Sequence, residues 1–497
     1  MRRILSLLLM LCMVLSLCTG CEEEIQEAEM EVYHTADERE GEAVWSYGFG
    51  VRPIISPSHS DGKGLYIAGY NSGWYGAGYL NRNVMGTYRY MGGKLQEYDP
   101  DYSEARAAWI DAGAGGVLLI GIDCVGLSKP VVDNIRDRLF TLCAEHNCIS
   151  VNVYSTHSHA SPDSFGMWGP LAVDGKNDEY MEALVNAAVE AATVAMTSRY
   201  TGELRYGQAT TEGMIYDSRD PQVYDPDVHQ LRFANADGGP GLRLMFYGAH
   251  AESMRGDNVL LSRDFPGLMC DVVTYETGDY TMFLPGAIGG LMYTNILTEG
   301  YFDAVDNMEL TGNAMAQYVL SIKPSDETVI SPELSVARTL FTAEMDNPLY
   351  LCLKFLGVLE NEVVEGDSDS GYLVCSEMSV LRLGNLHIVC MPGEIFPELV
   401  FGGEYHYYGT HGENPTPLRE IAAGYGVEDM LIIGLCNDEL GYIVPPSDFL
   451  VNEAAPYIEK IEDITGENHY EETNSLGPKT AHTIAETFDA LLAALTE

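Results

Sequence analysis

Strand-like and helix-like patterns of hydrophobic and polar residues alternate along most of this 497-residue chain. Val117 to Ile122 is a nearly continuous apolar run, which is typical of a strand buried on both faces. After Pro130, apolar residues recur at three- and four-residue steps, as expected of an amphipathic helix. Ile149, Val151 and Val153 then alternate with polar residues, which indicates another strand.

The same rhythm continues to the C-terminus. The further elements that we predict are an Ala-rich helix at Tyr180–Met196, strands at Leu242–Tyr247, Leu386–Met391 and Met430–Leu435, and a closing helix at Pro478–Leu495. This order predicts an α/β fold with a mixed, largely parallel sheet covered by helices. Residues 325–370 are the least regular and are expected to form an insertion or an edge element, and residues 466–474 a polar loop.

The N-terminal residues have the pattern of an export signal. Arg2 and Arg3 precede an apolar run, Ile4 to Leu17, that is too short for an ordinary membrane-spanning helix. We therefore predict a lipoprotein signal peptide over residues 1–20, with acylation of Cys21. The alternative is a plain secretory signal followed by an incidental cysteine.

The segment after the signal is acidic and poor in apolar residues, so residues 21–42 are expected to form a solvated tether. One large catalytic domain would follow over residues 43–497. The lipid anchor would be the only contact with the membrane, and it would hold the protein at the cell surface, on the outer face of the cytoplasmic membrane. The formal charge of -47 argues against nucleic acid as a partner, because such a surface repels phosphate.

Side chains able to bind a metal follow four of the predicted strands. They are His157 and His159 after the first, His250 after the second, Glu394 after the third and Tyr442 after the fourth. Residues at the carboxyl ends of strands in an α/β sheet converge on one crevice. Each residue alone has an ordinary explanation, such as a histidine that is hydrogen-bonded in the core. Together they predict a zinc site.

Several short motifs occur in the same order as in a known family. Thr156-His157-Ser158-His159-Ala160-Ser161-Pro162 resembles the Thr-His-x-His-Ser-x-Pro signature of the neutral and alkaline, non-lysosomal ceramidases. The resemblance covers roughly residues 64 to the C-terminus. The other segments that carry it are Phe246–His250 with Ser262–Gly267, Met391–Glu394, Gly441–Pro445 and His469–Glu471.

The resemblance implies a role for each matching position. For one zinc ion it implies the ligands His157, His250, Glu394 and Tyr442. The catalytic residues that it implies are His159, which would orient a zinc ligand or handle protons, and Arg219 and Tyr470, which would face the substrate or the developing oxyanion. Asp123 and Asp264 would orient the zinc ligands without binding the ion themselves.

The chain departs from the family where a Gly-Asp-Val-Ser-Pro segment carries the serine that acts on the substrate amide. Here the sequence is Pro285-Gly286-Ala287-Ile288-Gly289-Gly290, so Gly289 stands in the serine position. No hydroxyl nucleophile comes from this loop. Either zinc-bound water attacks directly, or the chemistry differs, or the protein is inactive. The chain also ends soon after the last family motif, so we expect no C-terminal β-sandwich domain.

The function expected from these features is a zinc-dependent extracytoplasmic hydrolase of the neutral ceramidase type. It would cleave the amide bond of a small amphipathic N-acyl substrate, such as a sphingolipid, by metal-activated water. Two alternatives stay open. One is a non-catalytic surface lipoprotein that binds a lipid or a glycan, and the other is an esterase or lactonase on the same fold.

Overall fold

The computed structural model describes most of the chain beyond the predicted tether. The described residues are 30–35, 43–56, 65–70, 88–91, 94–97, 103–169, 173–256, 258, 260–293, 304–403, 405, 409 and 411–496. The predicted signal peptide, Cys21 and most of the acidic tether lie outside them. Within these ranges, no helix combines the length and the apolar character needed to cross a lipid bilayer.

Strands are distributed over the whole described chain. In chain order they are β1 Glu31–His34, β2 Trp45–Pro53, β3 Tyr88–Met91, β4 Lys94–Glu97, β5 Glu104–Asp111, β6 Gly116–Ile122, β7 Cys148–Ser155, β8 Tyr200–Thr210, β9 Ile215–Asp217, β10 Asp227–Asn235, β11 Leu242–Tyr247, β12 Tyr280–Pro285, β13 Leu291–Tyr293, β14 Thr328–Ile330, β15 Leu334–Glu344, β16 Val363–Glu365, β17 Tyr372–Leu383, β18 Leu386–Cys390, β19 Glu394–Ile395, β20 Asp429–Ile433, β21 Tyr442–Ile443, β22 Ile461–Glu462 and β23 Asn468–His469.

Helices lie between these strands. They are α1 Lys129–His146, α2 Asp178–Thr197, α3 Asp264–Thr277, α4 Ala304–Ser321, α5 Pro348–Phe355, α6 Pro397–Phe401, α7 Leu418–Gly424 and α8 Thr480–Thr496, with short 3-10 turns at Pro446–Asp448 and Glu471–Asn474. Local sequence explains the ends of the first two. Pro130 lies in the first turn of α1, and Asn147 ends it in the left-handed conformation. The Asn177 side chain caps α2 by accepting from the backbone N–H of Tyr180.

Two large sheets form the centre of the fold. Among the described strands, the first sheet has the order β12-β11-β10-β8-β2-β5-β6-β7, with β14 paired to β8. The second has the order β1-β15-β17-β18-β20, with β16 paired to β17. The sheets pack face to face around a shared apolar core, in which Tyr47 and Leu231 of the first meet Leu381 and Ile388 of the second. Burying each such side chain contributes roughly 1.5–3 kcal/mol.

Helices cover the outer faces of both sheets. Buried residues of α1 and α2 pack on β5, β6 and β7, and those of α3 and α4 pack on β11 and β12. The second sheet is covered by α6, α7 and α8. In α8, Phe488 and Leu492 are fully buried. The result is a layered arrangement of helices, sheet, sheet and helices, which confirms the predicted mixed α/β class.

The predicted pairing of the strands is wrong in one respect, because the sheets are not largely parallel. Parallel pairing within the two described sheets is confined to β6–β7, β11–β12 and β18–β20, and the other pairs are antiparallel. The length of a connection can impose antiparallel pairing, as it does between β17 and β18. Gly384 and Asn385 alone join β17 to β18, and a loop this short permits only a hairpin.

Two further expectations are corrected. Residues 325–370 are not an insertion or an edge element throughout, because β15 within them lies between β1 and β17 in the second sheet, although β14 and β16 each pair with one described strand alone. Its mixed polar and apolar residues concealed a strand that packs apolar side chains on both of its faces. Residues 466–474 are not simply a polar loop either. They contain β23 and a 3-10 turn in which Glu471 and Glu472 are fully buried.

Candidate metal centre

The residues after β20 join the ends of several strands at one place. The backbone N–H of Gly434 donates to the carbonyl of Pro285 at the end of β12, at 2.9 Å. The N–H of Asn437 donates to the carbonyl of Val153 in β7, at 2.7 Å. The N–H of Met391, just after β18, donates to the carbonyl of Ile433 at the end of β20, at 2.8 Å. The strand ends that carry the candidate ligands therefore meet, as the sequence predicts.

His157 is held in a fixed orientation just after β7. Its backbone has φ +62°, a left-handed conformation that is uncommon for a residue other than glycine and that recurs at functional sites. Its Nδ1 hydrogen-bonds to the carbonyl oxygen of Val125 at 2.6 Å. Among the described residues, Nε2 has no hydrogen-bond partner although the side chain is buried. This nitrogen lies 3.4 Å from Oε2 of Glu394.

Glu394 joins two imidazoles. Its Oε2 lies 2.9 Å from Nε2 of His250, in addition to the contact with His157. Burial opposes ionisation of this carboxyl group, but the two imidazoles outweigh burial and hold the pKa of Glu394 below its usual range. The group is therefore a carboxylate, which is the form that binds a cation.

His159 completes a cluster of three imidazoles. One ring nitrogen from each of His157, His159 and His250 lies within 4.8 Å of the others, and all three side chains are buried. Neither ring nitrogen of His159 has a hydrogen-bond partner among the residues that the structure describes. Burial first, and then the neighbouring His157 and His250, hold the pKa of His159 well below its usual value. The ring is therefore neutral and can donate a lone pair to a metal.

These residues fit a metal ion. Nitrogen and oxygen ligands at 2.0–2.1 Å from a tetrahedral zinc ion lie about 3.3 Å from one another. The separations of 3.4 Å between His157 and Glu394 and of 2.9 Å between His250 and Glu394 are close to this spacing. Buried imidazole nitrogens without a partner are costly, and an ion would satisfy them. The identity of the metal stays a prediction.

Two tyrosines lie next to the cluster. The hydroxyl of Tyr442 is 3.5 Å from Nε2 of His250 and 3.4 Å from the hydroxyl of Tyr470. Burial raises the pKa of both phenols well above the usual value, and nearby Glu394 and Glu471 reinforce the effect. Without a metal, both groups are O–H donors. The structure thus brings Tyr442 and Tyr470 to the cluster, and their roles stay predictions.

Arg219 is already engaged by carboxylates. Its guanidinium is buried and donates to Glu471 at 3.0 Å, to Glu472 at 3.3 Å and to Asp448. It also lies over the ring of Phe396, 5.5 Å from the ring centroid. Burial alone would lower the pKa of Arg219, but the carboxylates raise it well above the usual value. In this state the two Nη groups are committed to carboxylates, and the role of Arg219 towards substrate stays a prediction.

Asp123 and Asp264 support the loops that carry the histidines. Asp123 accepts from the hydroxyl of Thr156, the residue before His157, at 3.1 Å. Burial raises the pKa of Asp123 to about 7, while Arg263 opposes the shift. Asp264, at the first position of α3, accepts from the backbone N–H groups of Ser253 and Met254 at 3.1 Å each. Asp123 therefore holds the side chain that precedes His157, and Asp264 holds the backbone of the loop that follows His250.

Gly289, in the position of the family serine, has no room for a side chain. A Cβ atom built there would lie 2.6 Å from Cδ2 of Phe396, 2.7 Å from its backbone N and 2.8 Å from the carbonyl oxygen of Glu394. The N–H of Gly289 also donates to the carbonyl of Ile395 at 3.0 Å. The backbone that carries Glu394 thus occupies the space of a side chain at this position.

The sequence analysis missed two carboxyl groups near the cluster. Glu252 is buried, and its Oε2 lies 3.5 Å from Nδ1 of His159. Glu439 is buried, accepts from the N–H of Gly441 at 2.8 Å, and has its pKa raised well above the usual value by burial and then by Glu394. The available signal was proximity in sequence, because Glu252 follows His250 by two residues and Glu439 precedes Tyr442 by three.

The fold and the site define an α/β protein with a buried three-histidine cluster that could hold a metal ion. Solved structures share this fold. Neutral ceramidase from Pseudomonas aeruginosa aligns with 92% of this chain and 75% of its own, at 16% identity and a TM-score of 0.66. A ceramidase complexed with C2 aligns with 91% of this chain and 75% of its own, at 16% identity and a TM-score of 0.64.

Sequence comparison adds no assignment. No family model matches the chain, and no curated protein matches it at a significant level. The likeness to ceramidases is therefore a likeness of fold.

Proposed function

We propose that this protein is a zinc-dependent hydrolase that cleaves the amide bond of a small amphipathic N-acyl substrate. The observation that carries the proposal is the cluster of His157, His159 and His250 beside a buried carboxylate. Nε2 of His157 and both ring nitrogens of His159 lack hydrogen-bond partners within the described structure. The shared fold with neutral ceramidases supports the choice of reaction. In this proposal His157, His250, Glu394 and Tyr442 hold the ion.

The protein contributes orientation and hydrogen-bond donors. A zinc ion bound there would polarise a substrate carbonyl or lower the pKa of a bound water. Val125 fixes the ring of His157 through its carbonyl oxygen, and Asp123 fixes the loop before it through Thr156. In this proposal the hydroxyl of Tyr470, 3.4 Å from that of Tyr442, donates to the oxygen that gains negative charge as water attacks the amide carbon. The oxygen of water adds to the amide carbon, the C–N bond breaks, and the leaving amine takes up the proton that the water gives up.

The missing serine favours hydrolysis by water. Because the backbone of Glu394 and Phe396 fills the space at Gly289, a side-chain nucleophile is not available at this position. The same observation supports a second candidate, a non-catalytic surface lipoprotein that binds a lipid or a glycan. An esterase or lactonase is a variant of the first candidate. Anchoring through Cys21 at the outer face of the cytoplasmic membrane is also proposed, and it is supported by the sequence pattern alone.

Metal analysis of the purified protein tests the metal site. We expect about one zinc ion per chain in the native protein and a loss of bound zinc in His157→Ala and His250→Ala. His387→Ala is the matched control, because His387 is equally buried but bonds only to the Asn385 carbonyl among the described residues. A native protein that contains no metal, and that takes up none when zinc is supplied, would contradict the proposal.

A substrate panel separates the two candidates. N-acyl amphiphiles and their ester analogues are incubated with the zinc-loaded protein, and the released fatty acid is measured. We expect release from N-acyl substrates, loss of release with a chelator, and recovery when zinc is restored. Zinc-dependent release from the esters alone would assign the esterase. Tight binding of an N-acyl amphiphile without release would instead establish the binding protein.

A further inference from the structure

Glu252 lies in the loop that follows β11, two residues beyond His250. Its side chain is 6% exposed. The backbone of this loop is paired with the loop of the other histidines, because the N–H of His159 donates to the carbonyl of Ala251 at 2.9 Å. This pairing places the side chain of Glu252 beside His159 independently of any ligand.

The carboxyl group of Glu252 faces one particular nitrogen. Its Oε2 lies 3.5 Å from Nδ1 of His159, which is just beyond hydrogen-bond range. Oε1 has no hydrogen-bond partner in the described part of the chain. Tyr70 encloses the pair, because its ring meets the ring of His159 edge-on at 5.1 Å and its hydroxyl donates to the backbone carbonyl of Glu252 at 2.9 Å.

The other histidines suggest what this arrangement does. Nδ1 of His157 is held by the carbonyl oxygen of Val125, and this leaves Nε2 directed at Glu394. His250 likewise directs Nε2 at Glu394. With Nδ1 of His159 directed at Glu252, its Nε2 is the nitrogen left for the cluster. A metal-binding imidazole usually donates its other N–H to a carboxylate or a carbonyl, which fixes the tautomer and the ring orientation.

We propose that Glu252 is a positioning residue that fixes His159 as a third imidazole ligand of the ion, in addition to the four ligands of the proposed metal site. The inference rests on the proposed metal site and deepens it. It differs from the role that the family resemblance implies, in which His159 orients a ligand or handles protons without binding the metal. A buried carboxyl group with an oxygen that lacks a partner in the described structure is costly, and a hydrogen bond from an imidazole N–H would offset part of that cost.

The first test measures metal affinity, not activity. Competition with a chromophoric chelator gives the zinc dissociation constant of the full chain, of Glu252→Gln and of His159→Ala. We expect Glu252→Gln to weaken binding about 10- to 100-fold, as for other carboxylates behind metal-bound histidines, and His159→Ala to weaken it at least as much. The double variant should bind no more weakly than His159→Ala, because Glu252 acts through His159.

The second test reads the ligand set directly. The visible spectrum of the Co²⁺-loaded protein depends on the number and type of ligands, so a third imidazole ligand predicts an altered spectrum in His159→Ala. Asp438→Asn is the matched control for loss of a buried carboxylate. Asp438 accepts from Lys129, Asn361 and Ser376 and touches no histidine within the described structure, so affinity and spectrum should not change.

The outcomes separate this inference from the proposed function. If the unmodified protein binds neither zinc nor cobalt, the proposed function fails and this inference fails with it. If it binds both metals, but Glu252→Gln and His159→Ala leave the affinity and the cobalt spectrum unchanged, only this inference is overturned. His159 would then lie beside the ion without binding it.

Discussion

Oε2 of Glu394 lies 2.9 Å from Nε2 of His250, although 144 positions separate the two residues in sequence. His250 follows β11 in the first sheet, and Glu394 follows β18 in the second. The contact therefore joins the two sheets at the ends of their strands. A metal ion held by these residues would connect the sheets, so metal binding and global stability should be coupled.

Removal of the metal is expected to destabilise the fold. An ion that binds only the folded state stabilises it by about 2.7 kcal/mol when the free ion is at 100 times its dissociation constant. Urea unfolding of the zinc-loaded protein, with and without a chelator, measures this difference. His250→Ala should show a much smaller difference. Equal unfolding midpoints for the native protein in the two conditions would contradict the coupling.

Restoring the family serine should harm the protein without improving catalysis. In Gly289→Ser the new Cβ would lie less than 3 Å from the backbone N of Phe396 and the carbonyl oxygen of Glu394. Backbone atoms cannot move aside as the end of a flexible side chain can. We expect a loss of roughly 1–3 kcal/mol in the free energy of unfolding and a disturbed metal site. Gly424→Ser is the control, because a Cβ there meets nothing within 4 Å. A stable Gly289→Ser variant with higher amidase activity would show that the loop can accept the serine.

The sequence predicted the location of the site better than the architecture around it. Strand ends could be read from apolar runs such as Val117–Ile122, which lies within β6, and Leu242–Tyr247, which is β11. The residues directly after such runs were therefore known, and the structure brings His157, His250 and Glu394 together.

What the sequence could not predict depends on tertiary contacts. The pairing direction of the strands is one example, because apolar runs buried between a sheet and helices look the same in parallel and antiparallel neighbours. Glu252 is another example, because its position 3.5 Å from His159 depends on how two separate loops lie next to each other. Arg219 matched a motif, but its ion pairs with Glu471 and Glu472 could not be predicted, because these residues lie 252 and 253 positions later in the sequence.

The carboxyl group of Glu398 should make stability depend on pH. Burial first, and then Asp217, raise the pKa of Glu398 from its usual value of 4.5 to about 8. The folded state thus binds this proton more tightly, so its stabilisation is complete below pH 4.5 and is lost as the pH rises to about 8. Above that pH the native protein carries a buried charge.

Replacing this carboxyl group by an amide should remove the effect. We expect Glu398→Gln to gain stability relative to the native protein as the pH rises, by up to about 5 kcal/mol above the folded pKa. Urea unfolding at a series of pH values measures the difference. The control is Glu420→Gln on α7, which makes the same replacement at an exposed position. A constant difference for Glu398→Gln would mean that Glu398 is ionised in both states.

Arg219 should matter for folding before it matters for catalysis. Arg219→Met leaves Asp448, Glu471 and Glu472 buried together without their shared cation. Breaking a buried ion pair by removing one partner costs about 3–5 kcal/mol, and we expect a loss of this size in the free energy of unfolding. Arg219→Lys should recover only part of it, because an ammonium group cannot reproduce the planar donors of a guanidinium.

The surface pair of Arg205 and Glu203 provides the control for loss of an arginine. Glu203 is half exposed, so Arg205→Met should change stability by less than about 1 kcal/mol. The distinction is measurable in one series of unfolding curves combined with hydrolysis assays below the unfolding midpoint. If Arg219→Met is as stable as the native protein but does not turn over substrate, the carboxylates do not depend on Arg219. The guanidinium would then be free to face the substrate, as the family resemblance implies.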